Sequence, residues 1–355
     1  MSRLEAVASS IALLAEQIVH NFSRLRLRTR ILMIPALILL ATLSLAGTSG
    51  LRGIAVLHNA PNRTPGDDDS RRWEWVRPRQ GHLIPPKIWQ IMLPKQGGDN
   101  TPVNPDALKE TATWLAMNPD HIYTLVGKTG GENFIKRHFG HDTNILSTYK
   151  SLPNVGMESD LLRYLLLDIE GGVYTDTDTI AVKPIDEWVP YHLRNQTRLV
   201  VGIEFDQRDD TPWQDILHPL QFCQWTIAAT PGHRVFRNMV ARIMGSMDDM
   251  IQKNEVSQQE LSSLKPSSFE VMNSTGPAAW TDVVWEYIQA TEPDGALTDI
   301  RNLSRMAAPT LYGDVLVLPI NGFGMGQRHS GSVNDGTTPD DALVKHLFGG
   351  SWRGD

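Results

Sequence analysis

The stretch 159–182, SDLLRYLLLDIEGGVYTDTDTIAV, constrains the fold more than any other part of the chain. Its first half has helical periodicity, with Ser159 suited to the N-cap and Gly171 and Gly172 to the C-cap. Its second half is rich in β-branched and aromatic residues and reads as a strand. With only a glycine pair between them, the helix must fold back over the strand, which demands helix-on-sheet layering. Further strands are expected at 84–93, 121–127, 199–205, 223–230 and 315–320, and helices at 106–117, 131–139, 233–250 and 277–290. This alternation predicts an α/β fold with a largely parallel central sheet and a ligand site beyond the carboxyl ends of its strands.

The amino-terminal region differs in character. Residues 31–51, ILMIPALILLATLSLAGTSGL, carry no charge, and at about 1.5 Å per residue they can cross ~30 Å of hydrocarbon as a helix. Arg24, Arg26, Arg28 and Arg30 precede the run, while Arg52 and then Asp67, Asp68 and Asp69 follow it. The positive-inside bias therefore predicts a cytosolic tail at 1–30 and an uncleaved type II signal anchor at 31–51. A cleaved signal peptide ending near Ala46 and Gly47, or a buried core helix, are the competing readings. Residues 52–83 lack apolar periodicity and read as a stem, leaving one folded domain at 84–355. Sequons at Asn62, Asn195, Asn273 and Asn302 permit a lumenal location for it. The single cysteine, Cys223, excludes an intrachain disulfide and a multi-cysteine zinc site. A formal charge of −7 disfavours nucleic acid as a partner and leaves carboxylates available for a cation.

Asp176 and Asp178 are the candidate cation ligands. On a strand they would share one face about 7 Å apart, where like charges raise one another's pKa unless a cation intervenes. Mg²⁺ and Mn²⁺ prefer such oxygen ligands and leave positions open for phosphate. A solvated edge strand of alternating Thr and Asp has the same pattern. Gly171 and Gly172 just before the pair allow a close backbone approach, as a ligand-crowded strand end requires. On the preceding helix Asp160, Arg163 and Tyr164 fall at i, i+3 and i+4, on one face among leucines. That face is either a surface stripe or the second wall of a crevice.

The segments IPPKIWQ, SDLLRYLLLDIEGG, GVYTDTDT with Lys183 and Pro184, ATPGH, STGP and HLFGGSW occur in that order over 84–352. Together they resemble glycosyltransferase family 32, in particular the fungal initiation-specific α-1,6-mannosyltransferases of the Golgi. The resemblance implies a GT-A, Rossmann-like fold, GDP-mannose as donor, and Mn²⁺ or Mg²⁺ held by an Asp-x-Asp motif. It implies that Asp178 is the main metal ligand and that Asp176 lies near the ribose and the metal. Asp160 and Arg163 match helix positions that hold the donor sugar and its surroundings, with Tyr164 and Gly172 joining the donor-binding set. His346 falls where GT-A enzymes place a carboxy-terminal metal-binding histidine, although a surface helix histidine would look alike.

The implied setting is a single-pass type II protein of the Golgi membrane with a lumenal catalytic domain. Its acceptor would be a glycan, the N-glycan core in α-1,6 linkage, and a mannosyltransferase complex is the implied assembly. Retention of configuration is expected, and with no carboxylate marked as nucleophile a front-face reaction is preferred over a covalent intermediate. Two departures from the family pattern stand out. Lys345 precedes His346 where a second histidine is usual, with Leu347 after it, and Thr177 fills the motif's usually apolar middle. The alternatives are mannan extension, a glycolipid acceptor, and a non-catalytic subunit. Lipid-acting relatives carry further membrane spans, which are not seen after Leu51, and intact Asp160, Arg163, Asp176 and Asp178 argue against a silent subunit.

Overall fold

The computed structural model describes residues 54–57, 81–94, 105–208, 216–292, 295, 297–327 and 331–350. The expected tail at 1–30 and anchor at 31–51 lie outside the described residues, among which no helix is long and apolar enough to cross a membrane. The remaining elements belong to one unit beginning at Gly53.

In chain order the larger elements are β1 (Ile54–Leu57), β2 (Lys87–Ile91), α1 (Thr111–Met117), β3 (Ile122–Val126), α2 (Lys128–Phe139), α3 (Thr143–Ser151) and α4 (Val155–Glu170). Then come β4 (Gly172–Thr175), β5 (Thr179–Ala181), β6 (Leu199–Asp206), β7 (Leu220–Phe222), β8 (Thr226–Ala229) and α5 (Arg234–Asn254). The chain closes with α6 (Ser268–Ser274), α7 (Pro277–Thr291), β9 (Thr310–Tyr312), β10 (Val315–Leu318), α8 (Ile320–Gly324) and β11 (Val344–His346). The main sheet runs β1-β3-β2-β4-β8-β6-β10-β9, with β7 paired to β6, and β5 and β11 form a separate antiparallel ribbon.

Side chains alternate across this sheet as the period of two requires. Trp89, Tyr174, Val201 and Val317 face one apolar core, packed by α4, α5 and α7. Their neighbours Ile88, Val173, Val200 and Leu316 face the other, with Trp114, Trp188 and Phe323. Helix α4 is buried from Leu161 to Leu167, which accounts for leucines on almost every side of it.

Four expectations need correction. The sheet is mixed: β8 lies between β4 and β6 and is antiparallel to both, because β7 and β8 run back along β6. Helix α4 begins four residues before Ser159, at Val155, capped by Asn154, whose side chain accepts from the Gly156 N–H. Asn is as strong an N-cap as Ser, and the helical pattern continues through the residues between them. Residues Ile54–Leu57, assigned to the stem, pair with β3 as a parallel edge strand; four apolar residues in polar surroundings are too few for periodicity to show. The strand expected over 223–230 is interrupted, with β7 ending at Phe222 and β8 starting at Thr226.

Candidate active site

That interruption assembles the site. The Gln224 carbonyl accepts from Arg163 Nη1 at 3.1 Å, and the Trp225 carbonyl accepts from the Asp176 N–H at 2.9 Å. The second of these bonds extends the β4–β8 register, in which Thr175 pairs with Thr226, by one residue; Gln224, one residue further on, turns its carbonyl to Arg163.

Strand β4 also stops earlier than the sequence suggested. Asp176 and Asp178 lie in a turn between β4 and β5, so strand alternation does not bring them together. The turn is held by its backbone: the Asp176 carbonyl accepts from Thr179 Oγ1 at 2.6 Å and from Gln90 Nε2 at 3.0 Å. Gln90 is itself fixed by Thr111 and Tyr123, whose hydroxyls donate to its Oε1 at 2.6 and 2.8 Å.

His346 completes the group from β11, a strand and not the surface helix that was the alternative. Pairing of β11 with β5 sets His346 opposite Thr179, and the Leu347 N–H donates to the Asp178 carbonyl. The imidazole Nε2 lies 3.2 Å from Asp178 Oδ1, while Asp178 Oδ2 accepts from the Gly349 N–H at 2.8 Å. Trp225 stacks on the His346 ring at 4.5 Å with a 9° interplanar angle, and Phe348 meets it edge-on at 4.3 Å. One donor atom from each of Asp176, Asp178 and His346 falls within 4.8 Å of the others. Nδ1 of His346 is buried without a hydrogen-bond partner among the described residues. Two hard carboxylates and an imidazole with an orphaned nitrogen fit a divalent cation of the Mn²⁺ or Mg²⁺ type.

Asp160 and Arg163 reach the same place from α4. Arg163 Nη2 pairs with Asp160 Oδ1 at 2.9 Å, Nη1 with Asp176 Oδ1 at 3.5 Å, and the guanidinium lies 4.5 Å over the Tyr174 ring. Tyr174 donates to Asp176 Oδ1, and Thr275 donates to Asp160 Oδ2 at 2.7 Å. Burial pushes Asp160 up to about 6 against the pull of Arg163 and Thr275. Asp176 is also raised, by burial that outweighs Arg163. Asp178 moves the other way: burial acts upward, but the His346 hydrogen bond and charge and the Gly349 N–H hold it below the usual carboxylate range. Burial opposes the charge of Arg163, yet the surrounding Tyr174, Asp176 and Asp160 raise its pKa. The two aspartates of the motif are thus electrostatically distinct.

Two of the expected donor-binding residues, Tyr164 and Gly172, have structural contacts in the fold. Tyr164 is fully buried, accepts from Gln224 Nε2 at 2.8 Å, donates to the Thr275 carbonyl at 3.1 Å and stacks on Trp280 at 5.3 Å. It braces the Asp160 wall from behind. Gly172 has φ +97°, and a Cβ there would lie 2.7 Å from the Lys87 carbonyl oxygen. Its close approach is to β2, and Gly171 likewise abuts Pro231, so the glycine pair is required by strand packing. Conversely, sequence reasoning passed over Gln90, Tyr174, Gln224, Trp225, Thr275 and Gly349. Gln90, Tyr174, Thr275 and Gly349 sit within segments that carried the resemblance, but a segment match assigns no contact.

Residues 105–194, which include the aspartate turn, match the family described as the glycosyltransferase sugar-binding region containing the DXD motif. The initiation-specific α-1,6-mannosyltransferase of Schizosaccharomyces pombe is 34% identical over 278 residues, covering 77% of this chain and 64% of that protein. That of Candida albicans is 33% identical over 288 residues, covering 77% of this chain and 73% of that protein. The chain belongs to this glycosyltransferase family. In this family member, Asp176, Thr177 and Asp178 form the DXD motif; from beyond the matched region His346 reaches Asp178, while Gln224 and Thr275 reach Arg163 and Asp160 on α4. The chain spans somewhat less than two thirds of the length of the S. pombe relative. Among solved structures, PaToxG Glycosyltransferase is 18% identical with a TM-score of 0.35 over 58% of this chain and 71% of that one, a likeness too distant to bear on the site.

Proposed function

We propose that this glycosyltransferase family member is a retaining mannosyltransferase that uses GDP-mannose and Mn²⁺ and transfers to a glycan, with the N-glycan core in α-1,6 linkage as the leading acceptor. Its proposed setting is the Golgi lumen, behind the type II anchor expected at 31–51. A GT-A arrangement suits the mixed sheet with a carboxylate turn at the end of β4. The observation that carries the reading is the convergence of Asp176, Asp178 and His346 on one point from the β4–β5 turn and β11.

The chemistry follows from those groups. A bound divalent cation would supply Lewis-acid stabilisation of charge on the departing diphosphate. Asp178, kept ionised by His346 and Gly349, is the anchor for that cation; Asp176, raised by burial and braced by Tyr174 and Arg163, is the weaker donor. Arg163 spends its charge on two carboxylates and so positions them more than it binds phosphate. Asp160 is 5% exposed and held by Arg163 and Thr275, which suits a hydrogen-bond acceptor for a sugar hydroxyl better than a mobile nucleophile. Retention then fits a front-face displacement in which the leaving phosphate takes the acceptor proton.

The test is GDP release from GDP-mannose by the purified lumenal region with and without Mn²⁺, in wild type and Asp178→Ala. Mn²⁺-dependent turnover that disappears in a folded Asp178→Ala protein is expected; equal turnover in the two proteins would refute the assignment.

A further inference from the structure

A cleft of about 610 Å³ opens beside His346, between the segment after α8 and the chain following β11. That volume is within the range of about 300–1,000 Å³ usual for ligand sites. Every described lining residue lies at Met325 or later, and none comes from β2, β3 or α4. The walls mix apolar side chains (Met325, Leu347, Phe348) with amide and hydroxyl groups (Gln327, Asn334, Thr337).

Three further observations point to a ligand here. Gln327 is 5% exposed, its side chain lies against Glu204, and its Oε1 has no hydrogen-bond partner among the described residues. With the amide directed at that carboxylate, the carbonyl oxygen is left as a buried acceptor wanting a donor. Phe348 adopts φ +53°, a left-handed conformation that a bulky residue seldom takes without a constraint. Yet Phe348 stays 44% exposed, its ring held edge-on by Trp225 and His346. Neighbouring Leu347 is 41% exposed.

The chemistry of the walls selects among ligands. A nucleoside diphosphate would need cationic groups facing its phosphates, and Lys345 is the only lysine or arginine among the described lining residues. A hexose instead presents an apolar C–H face and a rim of hydroxyls, which matches an exposed phenyl ring beside an unpaired amide oxygen. The cleft also adjoins the cation site through His346 and Phe348, so a sugar seated there would have a hydroxyl near the reacting centre.

We infer that this cleft is the acceptor subsite: it takes a neutral saccharide whose hydroxyl donates to Gln327 Oε1 and whose ring face packs on Phe348. The inference rests on the mannosyltransferase reading above.

The experiment compares wild type with Asn334→Trp, which places bulk in the cleft from an exposed position, and Gln327→Met, which removes the acceptor atom at similar length. Apparent KM is measured separately for GDP-mannose and for two acceptors, methyl α-mannoside and a labelled high-mannose oligosaccharide, with unfolding midpoints recorded alongside. Acceptor KM is expected to rise at least tenfold in Asn334→Trp and severalfold in Gln327→Met, with donor KM changing less than threefold. Acceptor KM within twofold of wild type in a folded Asn334→Trp protein would overturn the inference, as would equal rises for donor and acceptor. Wild type that hydrolyses GDP-mannose but transfers to neither acceptor would also overturn it while sparing the donor chemistry. Wild type inert toward GDP-mannose would instead remove the functional reading itself.

Discussion

Replacing Arg163 by Met isolates the electrostatic logic of the site. Arg163 is 5% exposed and is the cation between Asp160 at 2.9 Å and Asp176 at 3.5 Å, and both carboxylates are otherwise raised by burial. Met preserves length and packing but leaves two acids facing each other in an apolar setting. Removing one partner of a buried ion pair costs about 3–5 kcal/mol. At about 2 °C per kcal/mol for a chain of this size, the metal-free unfolding midpoint should fall by roughly 6–10 °C at pH 8. The sign of the pH dependence is fixed by the direction of the shifts. Without Arg163 both carboxyl groups rise further, so the folded variant retains protons that the unfolded chain, titrating near about 4, releases. Stability of the variant is therefore highest at low pH and falls as pH rises through the raised values. The deficit relative to wild type should be largest at pH 8 and smaller at pH 5, where protonation relieves the repulsion between the two raised acids. Urea denaturation in EDTA at the two pH values measures this, and Asp160→Asn added to the variant should recover about 1 kcal/mol or more at pH 8 only. A deficit below about 1 kcal/mol, or one identical at both pH values, would refute the reasoning.

Two further outcomes concern the scaffold. Gly172→Ala, with φ +97° and a Cβ meeting the Lys87 carbonyl oxygen at 2.7 Å, should cost about 3 kcal/mol in urea unfolding. Gly232→Ala, with φ +72° but open space around it, should cost only about 1 kcal/mol, and equal losses would show that strand packing is not what Gly172 serves. Glu270 is lowered to about 2 by Lys253 at 2.9 Å and by the capping hydrogen bonds of Ser267. Its side chain is 35% exposed, so solvent screening holds the contribution to about 1 kcal/mol. Because the folded pKa is depressed, that stability is present above the ordinary carboxylate pKa and is lost as pH falls toward about 2; the gap between wild type and Glu270→Gln should close over this acid range.

The sequence alone determined the layering and most of the chemistry-bearing residues. The periodicity of 159–170, its glycine stop and the β-branched run that follows are local properties of the chain, and they specify a helix folded onto a strand wherever they occur. Asp160 and Arg163 were legible for the same reason, since a spacing of three on a helix is geometry that needs no tertiary information. What only the tertiary structure decided is which groups meet across the fold. The break at 223–225 turns the Gln224 carbonyl toward Arg163, and the β5–β11 ribbon carries His346 across 168 positions to Asp178. The same packing sends Tyr164 behind the wall and Gly172 against β2, because burial and strand pairing fix where each side chain can go. Contacts between residues far apart in the chain depend on the summed packing of every element between them, and no local pattern encodes that sum.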